Sequence, residues 1–192
     1  MGDYRPHTPK WFGPRRAAQV VAFFALKSGG KINVLMASKL AYLADRLSLE
    51  TRDHSITGDN YVSMEFGPVC SNTYDYMNGR GSTKRRDWSA FIEKRRNYDL
   101  PLAAGVTLDS LDELSRSDLK ILEKTWKDFH DIDKYELAEW THKFCPEWQD
   151  PGKSSKPIEF SRVFKKLKKD DPDSLIEDIN LERRVKLDVF SR

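Results

Sequence analysis

Two cysteines and four histidines bound the nucleophilic and metal chemistry open to this 192-residue chain. Cys70 and Cys145 each stand alone, without the CxxC spacing of a zinc or redox site. His142 and Cys145 lie at i and i+3, with His130 upstream, but zinc needs about four ligands and local spacing supplies only this pair. The plainer role for His142 is a bond to the backbone or to Asp59 that holds two helices together. Cys70 follows Pro68 at a predicted helix start, where a thiolate is favoured. No oxyanion device or orienting residue accompanies it. Gly29-Gly30 ends a helical run instead of opening one, so it is not a phosphate-cradling loop. These residues point to a binding protein with no catalytic residues, no cofactor and no metal.

Charge is the other resource. Lys84-Arg85-Arg86, Lys94-Arg95-Arg96 and Lys165-Lys166-Leu167-Lys168-Lys169 are basic clusters, and Trp88, Phe91 and Tyr98 interleave the first two. That composition suits contact with a nucleic acid or an acidic partner, while Asp87, Glu93, Asp99, Asp170 and Asp171 dilute the field. The balance of 33 basic to 30 acidic side chains carries no nucleic-acid signature by itself. Arg85, Arg86, Trp88, Phe91, Arg95 and Tyr98 are the candidates for partner binding, with packing of the domain's own core as an equal rival. A second candidate is the C-terminal segment, where Leu175, Ile176, Ile179 and Leu187 could offer an apolar strip to a partner groove.

The elements that position these residues are mostly helical. Pro14 suits the first turn of a helix, and Ala17, Val20, Val21 and Phe24 follow at helical spacing until Gly29-Gly30. Asn33 is the expected N-cap of a second helix whose inner stripe is Met36, Leu40, Leu43 and Leu47, widened by Leu35, Tyr42 and Leu49. Tyr42 and Asp45 share a face of it, and Asp45 is placed to cap the loop at Ile56. Residues 61–66 alternate as a strand. Gly67-Pro68 is expected to break it and to start a helix from Val69 to Met77. Trp88, Phe91 and Ile92 read as a short strand or helical turn, and a strand in 88–108 could pair with the one ending at Phe66. Ser115 to Asp118 has the form of a capping box ahead of Leu119, Leu122, Trp126 and Phe129. Asp133 repeats the signal ahead of Leu137, Trp140 and Phe144, and Pro146 ends that helix. Residues 150–157 read as a linker, Glu159 to Leu167 as a short helix, and Ser174 to about Phe190 as an amphipathic segment. The predicted fold class is mainly α, with a small two- or three-stranded β element.

No apolar run reaches the ~20 residues of a membrane span. The short run Ala17–Leu26 fits a core helix better than a signal sequence, since no small-residue cleavage site follows it. With two isolated cysteines, this predicts a reduced, cytoplasmic protein.

The order of motifs resembles a known family. The helix Lys39-Leu40-Ala41-Tyr42-Leu43-Ala44-Asp45 leads to Ile56-Thr57-Gly58-Asp59, then Tyr61 to Phe66, Gly67-Pro68-Val69, and Tyr74 and Tyr76. Further on come Leu114-Ser115, Phe129, Glu136-Leu137, Thr141-His142 and Trp148. Over roughly residues 15–165 this is similar to the Panacea domain, also called SocA-like or phage-associated GepA-like. The resemblance implies a prokaryotic or phage antitoxin that neutralises a cognate protein toxin by direct complex formation. It also admits an adaptor that hands the toxin to a AAA+ protease, and a small nucleic-acid-binding regulator is the remaining alternative. The motif residues it singles out, as structural or partner contacts, are Tyr42, Asp45, Asp59, Gly67, Pro68, Val69, His142 and Trp148. Some relatives carry an added DNA-binding domain, but segment 1–14 is too short for a helix-turn-helix, so autoregulation by that route is not expected. The expected division is an N-terminal arm over 1–14, the helical domain over 15–169 and a C-terminal segment over 170–192.

Overall fold

Residues 8–81 and 87–190 are described by the structure, a computed structural model. Helix α1 (Pro14–Lys27) begins at its proline and is buried on nearly every side from Ala17 to Ala25. Helix α2 (Val34–Arg52) is capped as expected: the Asn33 side chain accepts from the Leu35 and Met36 amides. Its burial is wider than a single stripe. Every residue from Ala37 to Asp45 is buried, because α1, α3 (Ser71–Met77), α4 (Arg116–Phe129) and α5 (Lys134–Phe144) surround it. A helix enclosed this way is apolar all round except where polar groups find partners.

The Ser115–Asp118 capping box forms, with the Asp118 amide donating to Ser115 Oγ and the Ser115 amide to Asp118 Oδ2. The Asp118 carboxylate also takes Arg16 of α1 at 2.9 Å and Arg52 of α2 at 2.8 Å. One buried acid thus ties three helices together. Asp133 caps α5 through the Tyr135 amide. Helix α6 (Phe160–Lys166) follows, and α7 (Pro172–Phe190) packs against it.

The strands are short and differ from expectation in three ways. Strand β1 (Lys31–Asn33) pairs antiparallel with β4 (Asp99–Pro101). Strand β2 (Tyr61–Met64) lies between β3 (Gly67–Cys70) and β5 (Lys156–Ile158). So the expected pairing of the 61–66 strand with the 88–108 region is wrong; its partners are its own hairpin and the end of the supposed linker. Gly67-Pro68 does not break the strand. Pro68 sits in β3, an edge strand where its missing N–H costs no interior ladder bond, and the helix starts two residues later than predicted, at Ser71. Trp88 to Ile92 is a helical turn, closed by the Phe91 and Ile92 amides on the Trp88 carbonyl.

Candidate functional site: a buried polar node beneath an aromatic surface

Helix α2 carries Lys39, Tyr42, Asp45 and Arg46 toward β3 and toward the segment that follows α5. Asp45 is wholly buried and surrounded by donors. Its Oδ1 accepts the Ile56 and Thr57 amides, both at 2.9 Å, and its Oδ2 accepts the Thr57 hydroxyl and the Tyr61 hydroxyl, the latter at 3.1 Å. The expected cap on the loop at Ile56 is therefore present. Burial pushes the Asp45 carboxyl up to about 6, with the Thr57 bonds holding it lower than burial alone would.

Asp59, also buried, performs a capping role from a distance. Its two oxygens accept the Asn72 and Thr73 amides at 3.0 and 2.7 Å and both side chains at 2.7 and 2.8 Å. Those amides belong to the first turn of α3, whose own N-cap, Cys70, supplies no side-chain bond. With Asp59 so occupied, the expected bond to His142 is absent.

Lys39 is fully buried and donates to the Pro68 carbonyl at 2.9 Å. Burial draws its ammonium down to about 7. Gly67 stands beside it at φ 98°, where a Cβ would collide with the side chains of Thr141 and Lys39. Glycine is required here on two counts, the positive φ and the close approach of α5. Val69, on the same strand, is core.

At the other end, the Tyr42 hydroxyl donates to Glu147 Oε1 at 2.5 Å and Arg46 Nε donates to the same oxygen at 2.7 Å. Glu147 is wholly buried, and Arg162 reaches its backbone carbonyl at 2.7 Å. Sequence reasoning missed Glu147. Tyr42 and Arg46 at i and i+4 put two donors on one face of α2, which asks for an acceptor without saying which residue supplies it.

Burial keeps both cysteines in the thiol form. Cys70 only occupies the N-cap position of α3, and burial and the Asp45 carboxylate hold its thiol well above the ordinary value, overriding the short helix's influence and correcting the expected thiolate preference. Burial pushes Cys145 up to about 12. Among the described residues, no group of three or more His, Cys, Asp or Glu side chains is placed to hold a metal ion.

The node continues to the surface through the last motif residues. His142 stacks on Trp148, ring centroids 4.0 Å apart at 24°. Trp148 Nε1 donates to the Met64 carbonyl at 3.0 Å, fixing both rings against the β2–β3 hairpin. Tyr135, seven residues before His142 on α5, shares its face. Its ring lies 6.2 Å from that of Phe66 at the hairpin turn. Phe66 is 48% exposed and Tyr135 56%. The arrangement is an exposed aromatic pair beside a stacked, half-buried one, in which His142 Nε2 is buried without a hydrogen-bond partner.

A family model for the "Antitoxin SocA-like, Panacea domain" matches residues 38–149. The chain belongs to this Panacea antitoxin family. The match runs from the start of the buried stretch of α2 to Gln149, just past Trp148, and so spans the node and the aromatic surface. No curated protein and no solved structure matches the chain. In this Panacea chain the motif residues Tyr42, Asp45, Asp59, Gly67, Pro68 and Val69 meet in one interior region, while His142 and Trp148 border the surface.

The partner-binding candidates of 85–98 are not brought to that surface as a group. Arg85 and Arg86 lie outside the described residues. Trp88 and Phe91 are core, Trp88 against Tyr76 at 5.3 Å and Phe91 beneath the Arg15 guanidinium at 4.7 Å. Arg95 bonds Asn78, and Tyr98 is 72% exposed. No helix among the described residues is long and apolar enough to cross a membrane.

Proposed function

We propose that this protein neutralises a cognate protein toxin by direct complex formation, and that the surface built from Phe66, Tyr135, His142 and Trp148 is its principal contact. One observation carries the reading: the family motifs converge on a hydrogen-bonded interior whose outward side is an aromatic patch. Aromatic anchors on rigid supports are the groups that give most of the energy in standard interfaces of ~1,600 Å². Binding of this kind needs no bond to be made or broken by the antitoxin, which suits an interior of protonated thiols and occupied carboxylates. The test is co-expression with the neighbouring gene's product, scored for rescue of growth and for a co-purifying complex. Absence of both with the full chain rejects the reading.

A further inference from the structure

Helix α7 turns two different faces in opposite directions. Leu175, Ile176 and Ile179 pack against the core, so the apolar strip expected from them is spent inside the molecule. Arg183 fixes the helix further. Its guanidinium lies 3.9 Å from the Trp11 ring centre and 5.3 Å from that of Phe160, and it donates to the Gly58 and Asp59 carbonyls at 3.3 and 3.2 Å. On the far side, at steps of four, stand Leu181, Val185 and Val189, exposed to 54, 54 and 64%. Four residues advance a helix by about 400°, so the three run as a strip along the axis. Four exposed carboxylates edge it, Glu177, Asp178, Glu182 and Asp188, against one exposed cation, Arg184. Lys186 is engaged with Glu182 at 2.7 Å. A chain of net charge +3 therefore presents an apolar strip whose border carries more acids than bases.

We propose that this face docks a cationic amphipathic helix of the protein toxin. Apolar residues of the toxin seat on Leu181, Val185 and Val189, and its Lys and Arg side chains pair with the flanking carboxylates. The inference rests on the antitoxin reading and adds the partner's chemistry. Charge selects the occupant. An anionic lipid surface or a nucleic acid is repelled by this border. A second copy of α7 fits poorly: an antiparallel pair centred on Val185 sets Glu182 level with Asp188, and a parallel pair sets each acid against itself. Residues 172–190 also lie beyond the stretch 38–149 that the family model matches, so this contact uses none of the residues of the aromatic surface.

Two variants of the full chain test it. One replaces Leu181, Val185 and Val189 with Ser; the other is Glu177→Lys, Asp178→Lys, Glu182→Lys and Asp188→Lys. The substituted positions are exposed, and circular dichroism should show both variants folded. Each is titrated with a labelled helical peptide of Leu and Lys, and with a matching peptide of Leu and Glu. The wild type should bind the Lys peptide about tenfold or more tighter than the Glu peptide. The Lys-substituted variant should reverse that preference, and the Ser variant should lose most of the binding. In co-expression, the Ser variant should weaken the toxin complex by about tenfold or more. A folded Ser variant that binds the Lys peptide and the toxin as well as wild type overturns the proposal. So does a wild-type dimer that the Ser variant dissolves, which assigns the face to self-association. Failure of the wild type to rescue growth rejects the antitoxin reading instead, and the peptide titration still reads the α7 face.

Discussion

Lys39 is an ammonium set in a closed interior with the Pro68 carbonyl as its hydrogen-bond acceptor. Its titration leaves a mark on stability. Between about pH 7 and the ordinary 10.5 of a lysine, the unfolded chain holds a proton that the folded chain has released, so stability rises with pH. Higher up, the sign reverses. The folded-state pKa values of Cys70, Cys145, Tyr42 and Tyr61 are raised by burial, so the unfolded chain gives up those protons first and stability falls. Asp45 acts below this window: its folded pKa of about 6 lies above the ordinary value, and the stability it lends is lost as pH rises through 6. The expected profile therefore climbs above pH 7 and peaks at roughly pH 8 to 9. Lys39→Met should flatten the climb. Urea unfolding midpoints across pH 7 to about 10 measure it, and an unchanged slope in the variant refutes the assignment. Gly67 makes a second residue-scale prediction. Alanine at φ 98°, facing Thr141 and Lys39, should cost about 2 kcal/mol or more, read as a fall in Tm.

At the scale of elements, α3 depends on a residue outside it. Asp59→Ala would strip the first turn of α3 of its acceptors and leave the Asn72 and Thr73 amides without the carboxylate they now donate to. A loss of about 3 kcal/mol follows from leaving buried donors unmet. Asp59→Asn should cost less, since one amide oxygen still accepts, and equal losses would contradict the capping role. Helices α1, α2, α4 and α5 were legible because each has a local signature: Pro14, Asn33, Ser115 with Asp118, and Asp133. Of the strands only β2 was, from its alternation. β1, β4 and β5 span three residues each, too short for alternation to register, and β3 opens with Gly-Pro, a pair that locally reads as a break. Asp45's cap on Ile56 could be read from the loop that follows α2. Glu147 could not, because its partners lie about a hundred residues upstream and only the packing of α5 on α2 joins them. The inward turn of Leu175, Ile176 and Ile179 was hidden for the same reason. Amphipathicity shows that a helix has an apolar face, and Leu181, Val185 and Val189 give α7 a second one.

Across the whole molecule, burial divides the motif residues Tyr42, Asp45, Asp59, Gly67, Pro68 and Val69 from the groups left to meet a partner. The polar motif residues Tyr42, Asp45 and Asp59 are hydrogen-bonded inside, so substituting them tests folding before it tests binding. The surface residues separate the two effects. Phe66 and Tyr135 are exposed and close in a pair of rings, so the double variant Phe66→Ser, Tyr135→Ser should keep the helical spectrum and nearly the wild-type Tm. Truncating central aromatic anchors typically costs about 2 kcal/mol or more each, near 30-fold in affinity, and co-expression should then fail to rescue growth. The rival surface is the basic turn carrying Arg95 and Tyr98 on the β1–β4 sheet, which the matched control Arg95→Glu, Tyr98→Ser removes without touching the hairpin. Rescue by the control and failure of the Phe66, Tyr135 variant places the toxin on the aromatic surface. The opposite pair of results moves it to residues 94–98, where the ring of Tyr98 already stands in solvent.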